Sequence, residues 1–302
     1  MTAPRKIVPG RTYLLTRRCV QRQFLLTPSR SEIHEAFVFC LAYAAAKFDV
    51  EIHAAVCLGN HYHIVATDTK GFLSKFMHWL NRSTACCVNV ELGRWGALWE
   101  DEGFSYVWLV EDADVIAKML YTFANPVEAA LVEFGHEWPG FRTAPDDIGT
   151  REFVAKKPRY YANNKAMPDE LTLVLTKPPQ FKRMGECEFR ESLNGKYEVY
   201  EEEARKRVRR EGRKFFGARR IVMQDPTNTP WSHEGKRGLN PRIACKRKWP
   251  RIEAIEEYKT FQKEYREALA EYRRGNRKVI FPWGTWWMRV FHGVECHPAP
   301  LG

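Results

Sequence analysis

The sequence predicts a mixed α and β fold over its first 137 residues, followed by a basic, largely helical extension. Three observations carry this reading. Short apolar runs at 13–20, 50–58, 61–65 and 104–110 have the length and alternation of strands. Between them, apolar residues recur every three to four positions, the period of a helix with one core face. The net charge of +11 is uneven: the first 150 residues are slightly acidic and the cationic excess lies beyond them.

The elements follow in order. Residues 13–20 read as a strand ending in a basic turn, Gln21-Arg22-Gln23. Arg17, Arg18 and Arg22 are expected to line one edge of a groove, either as phosphate contacts or as edge-strand charges that discourage aggregation. A helix opens near Ser29 or Ser31, either of which can cap it, and runs to Phe48. Two strands joined at Gly59-Asn60 come next. On the second, His61 and His63 share one face while Tyr62 and Ile64 share the other, because side chains alternate across a strand. Paired imidazoles in that position can hold a metal ion, grip a phosphate, or simply be exposed histidines. A second amphipathic helix runs from Gly71 to about Leu92, with Gly93 as its terminator. Residues 97–99 and 104–110 supply further strand.

A third helix is expected over 112–125. Ile116, Met119, Leu120 and Phe123 form its apolar stripe, and Tyr121 falls on the opposite side with Asn125 one turn on. Pro126 is expected to stop it, which places Asn125 near a helix end.

Composition bounds the function. With 44% hydrophobic residues and 10 Trp the chain can bury a core, which excludes a disordered protein. No apolar run approaches the roughly 18 residues that span a membrane, and residues 1–10 lack a signal-peptide core. Eight cysteines include no C-x-x-C pair, so zinc ribbons and thioredoxin-like motifs are excluded and reduced thiols are expected. These features point to the cytoplasm, with association with the nucleoid if the source is bacterial.

The ordered motifs Asn60-His61-Tyr62-His63 and Tyr121-x-x-x-Asn125-Pro126-Val127, the latter followed by Ala129-Ala130-Leu131-Val132, resemble the single-tyrosine HUH transposases, in particular the REP-associated tyrosine transposase-like group. Phe24-Leu25-Leu26 and Gly96-Ala97-Leu98-Trp99 fit the same pattern, and the resemblance covers about residues 10–135. The sequence departs from it at Tyr62, where an aliphatic residue is more usual, and at Ala130, where glycine is common. The resemblance implies an α+β, ferredoxin-like antiparallel sheet with helices on it. It implies that Tyr121 attacks single-stranded, hairpin-associated DNA to give a 5′-phosphotyrosine. It also implies that His61, His63 and Asn125 hold a divalent metal, Mg2+ or Mn2+.

The expected division is a catalytic domain over 1–137, a linker or wrapping segment with short strands over 138–185, and a basic helical and aromatic extension over 186–302 that binds DNA. In the extension, Arg205, Arg209, Arg213, Arg219 and Arg220 belong to a basic run that either tracks a phosphate backbone or forms a solvated face. A helix over 251–274 carries an apolar stripe expected in the core. The aromatic stretch 281–291 either stacks unpaired bases or forms a small core. Single-stranded or hairpin DNA is the expected partner, with the chain a monomer or homodimer and no membrane involved. Two other readings stay open: a domesticated, non-catalytic hairpin-binding protein, and a metal-dependent phosphodiesterase without a covalent intermediate.

Overall fold

Six elements of the first half build one sheet and its first helical layer. The computed structural model describes residues 4–230 and 241–299. The elements are β1 (Arg11–Arg18), α1 (Ser31–Phe48), β2 (Val50–Cys57), β3 (His61–Asp68), α2 (Leu73–Leu92) and β4 (Ser105–Leu109). The sheet order is β2-β3-β1-β4, and each of these neighbours is antiparallel. This is the split βαβ arrangement of a ferredoxin-like α+β sheet. The chain continues through α3 (Asp112–Phe123), α4 (Asn125–Glu128), the hairpin β5 (Glu152–Lys156) and β6 (Glu170–Val174), α5 (Glu186–Arg210) and α6 (Ala218–Val222). A short β7 (Ile243–Ala244) then joins the β4 edge in parallel, followed by α7 (Lys248–Arg273) and α8 (Trp287–His292).

Each face of the sheet has its own cover. Tyr62 of β3 packs against Phe37 of α1, with ring centroids 5.2 Å apart, and donates to Asn81 Oδ1 of α2 at 2.7 Å. α3 covers the opposite face, where it meets His63. A single apolar cluster runs from Ile7 to Leu193, so Phe141, Ile148, Leu173 and Phe189 share the core of the sheet. Segment 141–143 lies along β2: Cys57 N donates to Phe141 O at 2.9 Å and Thr143 N to Ala55 O at 3.0 Å.

Local chemistry explains several boundaries. Buried Asp68 ends β3 and accepts from the backbone N–H groups of Gly71, Phe72 and Leu73 at 2.8, 2.8 and 2.9 Å, which starts α2. Gly93 ends that helix at φ 61°, a conformation that costs glycine nothing.

Other boundaries differ from the sequence reading. Neither Ser29 nor Ser31 caps α1. The capping position is Arg30, without a side-chain bond, and Thr27 Oγ1 instead accepts from Ser29 N at 3.2 Å. Residues 97–99 form no strand, only a bridge from Trp99 to Cys19. Pro126 does not stop helical structure: α3 ends at Phe123, and Pro126 sits in the first turn of α4, where a missing N–H leaves no bond unmade. The α7 stripe is only partly internal. Phe261 is buried, whereas Ile255 is 36% exposed. The 281–291 stretch divides, with Phe281 and Met288 in a small core and Trp287 and Phe291 more than half exposed. Among the described residues, no helix is long and apolar enough to cross a membrane.

Candidate active site

Strand register places the first part of the site. β1 and β3 pair so that Thr16 lies opposite His63 and Arg18 opposite His61. Alternation puts all four on the α3 face. The two imidazole centroids are 4.9 Å apart and nearly perpendicular. From α3, the Tyr121 ring meets His63 at 5.2 Å between centroids, and its hydroxyl lies 3.5 Å from His63 Nε2. That is too long for a strong hydrogen bond, and Tyr121 remains partly exposed. His61, His63 and Tyr121 are therefore brought together.

The His61 tautomer follows from its partners. Asn60 Nδ2 donates to Arg22 O at 3.1 Å, so Asn60 Oδ1 is the atom that meets His61 Nδ1, at 2.6 Å. A carboxamide oxygen only accepts, so His61 carries its proton on Nδ1 and a lone pair on Nε2. His63 Nδ1 lies 2.8 Å from Thr16 Oγ1. The Thr16 hydroxyl can pair with either tautomer, and it fixes the orientation of the His63 ring. Burial, then the Arg18 and Arg22 guanidiniums, push His61 down to about 3. Burial, then His61, Arg18 and Lys118, push His63 well below the usual histidine range. Both rings are thus neutral. Neutral imidazoles with an outward Nε2 suit a metal ligand and do not suit a cationic phosphate grip.

Asn125 lies four residues beyond Tyr121, at the start of α4. It is 4% exposed, and its Oδ1 has no hydrogen-bond partner among the described residues. A buried carboxamide oxygen without a donor is a vacant hard-oxygen ligand. Among the described residues, no third His, Cys, Asp or Glu joins His61 and His63. Two adjacent neutral imidazoles are donors of the kind a divalent ion takes. A second cluster, Glu111, Asp114 and Cys245, has its donor atoms within 4.8 Å of one another. It sits at the far end of α3, where Glu111 and Asp114 form a capping box and Arg247 pairs with Glu111.

Arg17 parts from Arg18 and Arg22, contrary to the expected common groove edge. It lies opposite Tyr62, on the α1 and α2 face, and donates to Glu100 O at 2.6 Å. Adjacent residues on a strand face opposite ways, so alternation alone separates Arg17 from Arg18. In the extension, much of the basic run is engaged with acids. Arg205 pairs with Glu201 at 2.8 Å and Glu202 at 2.5 Å, Arg209 with Glu133, and Arg213 with Glu211 at 2.9 Å. Arg219 and Arg220 are exposed on α6.

Several neighbours of the site escape the sequence reading. Thr16 holds His63, and Lys118 Nζ lies 5.3 Å from the Tyr121 ring centroid. The one signal for Lys118 is its position three residues before Tyr121 on a helix. Tyr200 of α5, close enough to feel Tyr121, donates to Glu128 Oε1 at 2.8 Å. No sequence pattern marks Tyr200, because its place depends on how α5 packs.

No family model matches the chain, and no curated protein matches it. Among solved structures, the chain is similar to the REP-associated tyrosine transposase bound to a REP hairpin. That match is 21% identical, covers 50% of this chain and 86% of that one, and has a TM-score of 0.41. The chain is also similar to a transposase candidate from Deinococcus radiodurans R1, at 15% identity over 39% of this chain and 93% of that one, with a TM-score of 0.28.

Proposed function

We propose that the protein is a transposase-like DNA strand transferase that nicks single-stranded, hairpin-associated DNA through Tyr121 and can rejoin the strands. The observation that carries this reading is the partly exposed phenol, 3.5 Å from an imidazole nitrogen that has a second imidazole beside it. A phenol in such a position is available to a polymer substrate rather than consumed by the core.

His61, His63 and Asn125 would hold the divalent ion, which supplies Lewis-acid polarisation of the scissile phosphate when bound. Tyr121 Oη forms a bond to phosphorus, the bond from phosphorus to O3′ breaks, and the departing 3′ oxygen takes up the proton that the phenol gives away. The Lys118 ammonium beside the ring favours negative charge on the attacking oxygen. Thr16 and Asn60 engage Nδ1 of the two imidazoles, which leaves their Nε2 atoms for a ligand. The phosphotyrosine ester keeps the energy of the broken bond, so a 3′-hydroxyl can reverse the step without a nucleotide cofactor.

The test is incubation with labelled single-stranded hairpin DNA and Mn2+ or Mg2+, followed by denaturing electrophoresis. The wild type is expected to give a denaturation-resistant adduct, and Tyr121→Phe to give none while still binding the DNA. An undiminished adduct in that variant would remove Tyr121 as the nucleophile. Nicking without any adduct would indicate a phosphodiesterase, and binding without nicking a non-catalytic hairpin-binding protein.

A further inference from the structure

Three guanidinium groups meet on the sheet face away from Tyr121. Arg17 leaves β1 on the Tyr62 side, Arg5 comes from the N-terminal segment, and Arg242 directly precedes β7. A Cβ built on Gly103 would lie 3.2 Å from Arg5 Nη2 and 3.9 Å from Arg17 Nη1, so both tips crowd the same turn. Arg5 and Arg242 both lie over Tyr106, with Cζ 5.7 and 4.8 Å from the ring centroid. Arg5 also covers Phe104 at 3.8 Å.

The donors of this cluster are only partly used. Arg17 Nη2 donates to Glu100 O and Arg5 Nη2 to Phe104 O, at 2.6 and 3.3 Å. Arg17 Nε and Nη1 and Arg242 Nη1 are buried with no acceptor among the described residues. The carboxylates of Glu100 and Asp101 are felt by Arg17 but make no ion pair with it among the described residues. Burial lowers the pKa of both Arg5 and Arg17, and the Arg242 and Arg17 guanidiniums lower that of Arg5 further. Like charges gathered at half-burial, with donors left unmet, cost stability unless an anion completes them. Guanidinium forks match the spaced oxygens of phosphate.

We propose that Arg5, Arg17 and Arg242 form a phosphate-binding site beneath the exposed turn at 101–103. Its ligand is a phosphate group, carried either by a nucleic-acid strand or by the free ion. The site is separate from the imidazole pair, and its test needs neither a divalent metal nor Tyr121.

Thermal unfolding of the Tyr121→Phe protein, without divalent metal, is compared in phosphate and in chloride at equal ionic strength. The expected result is a higher midpoint in phosphate. Arg242→Gln and Arg17→Gln are expected to lose that increment, and Arg242→Gln to raise the midpoint in chloride by relieving repulsion. A purely structural cluster predicts the opposite: lower midpoints in both salts with the increment kept. That result, or no difference between the salts for the parent protein, overturns the proposal. Anisotropy of a labelled single strand then separates the two sources. Binding weakened about tenfold or more in the double variant assigns the phosphate to nucleic acid. Unchanged strand binding together with a lost phosphate increment assigns it to the free ion.

Discussion

His63 shows how little of a site belongs to one side chain. Its Nδ1 is taken by Thr16, its Nε2 looks toward Tyr121, and Lys118 bears on both rings. The hydroxyl of Thr16 engages Nδ1 and so holds the ring in one orientation. Thr16→Val removes that partner at almost constant volume and leaves the ring free to turn. The expected outcome is about tenfold weaker Mn2+ affinity, with Thr16→Ser close to wild type. Titration with Mn2+ followed by electron paramagnetic resonance checks it, and equal affinity in all three proteins would free Thr16 of this role. The histidines and the tyrosine were legible as residue types in a pattern. Thr16 was not, because nothing within β1 distinguishes it from any strand threonine. Only the register with β3 brings it to the imidazole.

At the level of elements, the junction between β3 and α2 depends on one carboxylate. Asp68 is fully buried and satisfies three successive backbone donors at the start of α2. Asp68→Ala strands those N–H groups and is expected to cost roughly 2–3 kcal/mol. Asp68→Asn, which keeps one acceptor, is expected to cost less. Urea unfolding measures both, and a cost below that of an ordinary surface substitution would show that water replaces the cap. The helices α1, α2 and α3 were legible from their apolar period, although α1, read as having one core face, is buried on nearly all sides, with residues 36–42 all in the interior. The same period failed at Pro126, where a proline after a helix reads equally as a stop or as the first turn of the next one. It also failed at Ala97-Leu98-Trp99, a run with strand composition that finds only one bridge, to Cys19. Strand propensity describes a surface to pack against, and here Leu98 and Trp99 find one in the core just past the end of β1, where the ladder has run out.

For the whole molecule, two interior histidines tie segments distant in sequence and make stability depend on pH. His34 of α1 donates from Nε2 to Leu26 O at 2.9 Å and accepts at Nδ1 from Phe141 N at 2.7 Å. His53 of β2 donates from Nδ1 to Thr176 O at 2.8 Å and accepts at Nε2 from the Thr67 hydroxyl at 2.8 Å. Both rings use one donor and one acceptor, so only the neutral form fits, and burial pushes each down to about 4. The unfolded chain takes up these protons near 6.5. Unfolding therefore binds protons between pH 6.5 and 4. The stabilisation is complete above 6.5 and is lost as the pH falls toward 4. At pH 5 the expected loss is about 2 kcal/mol for each imidazole. Urea midpoints at pH 7 and pH 5 test this, with His34→Gln expected to show a shallower fall than wild type. An identical fall would mean that His34 does not titrate on unfolding.

The sequence by itself determined most strands and helices of the first half, the shared face of His61 and His63, and the separation of Tyr121 from the apolar stripe of α3. These are local properties, set by periods of 2 and 3.6 along one element. Tertiary structure alone decided what those side chains meet: Thr16 by register across two strands, Tyr200 by the packing of α5, and the gathering of Arg5, Arg17 and Arg242 by three segments far apart in the chain. It also bound Phe141, Ile148, Leu173 and Leu175 into the core of the sheet, where the sequence read residues 138–185 as a linker or wrapping segment. The physical reason is that convergence depends on how separate elements are placed against one another, and no window of a single element carries that information.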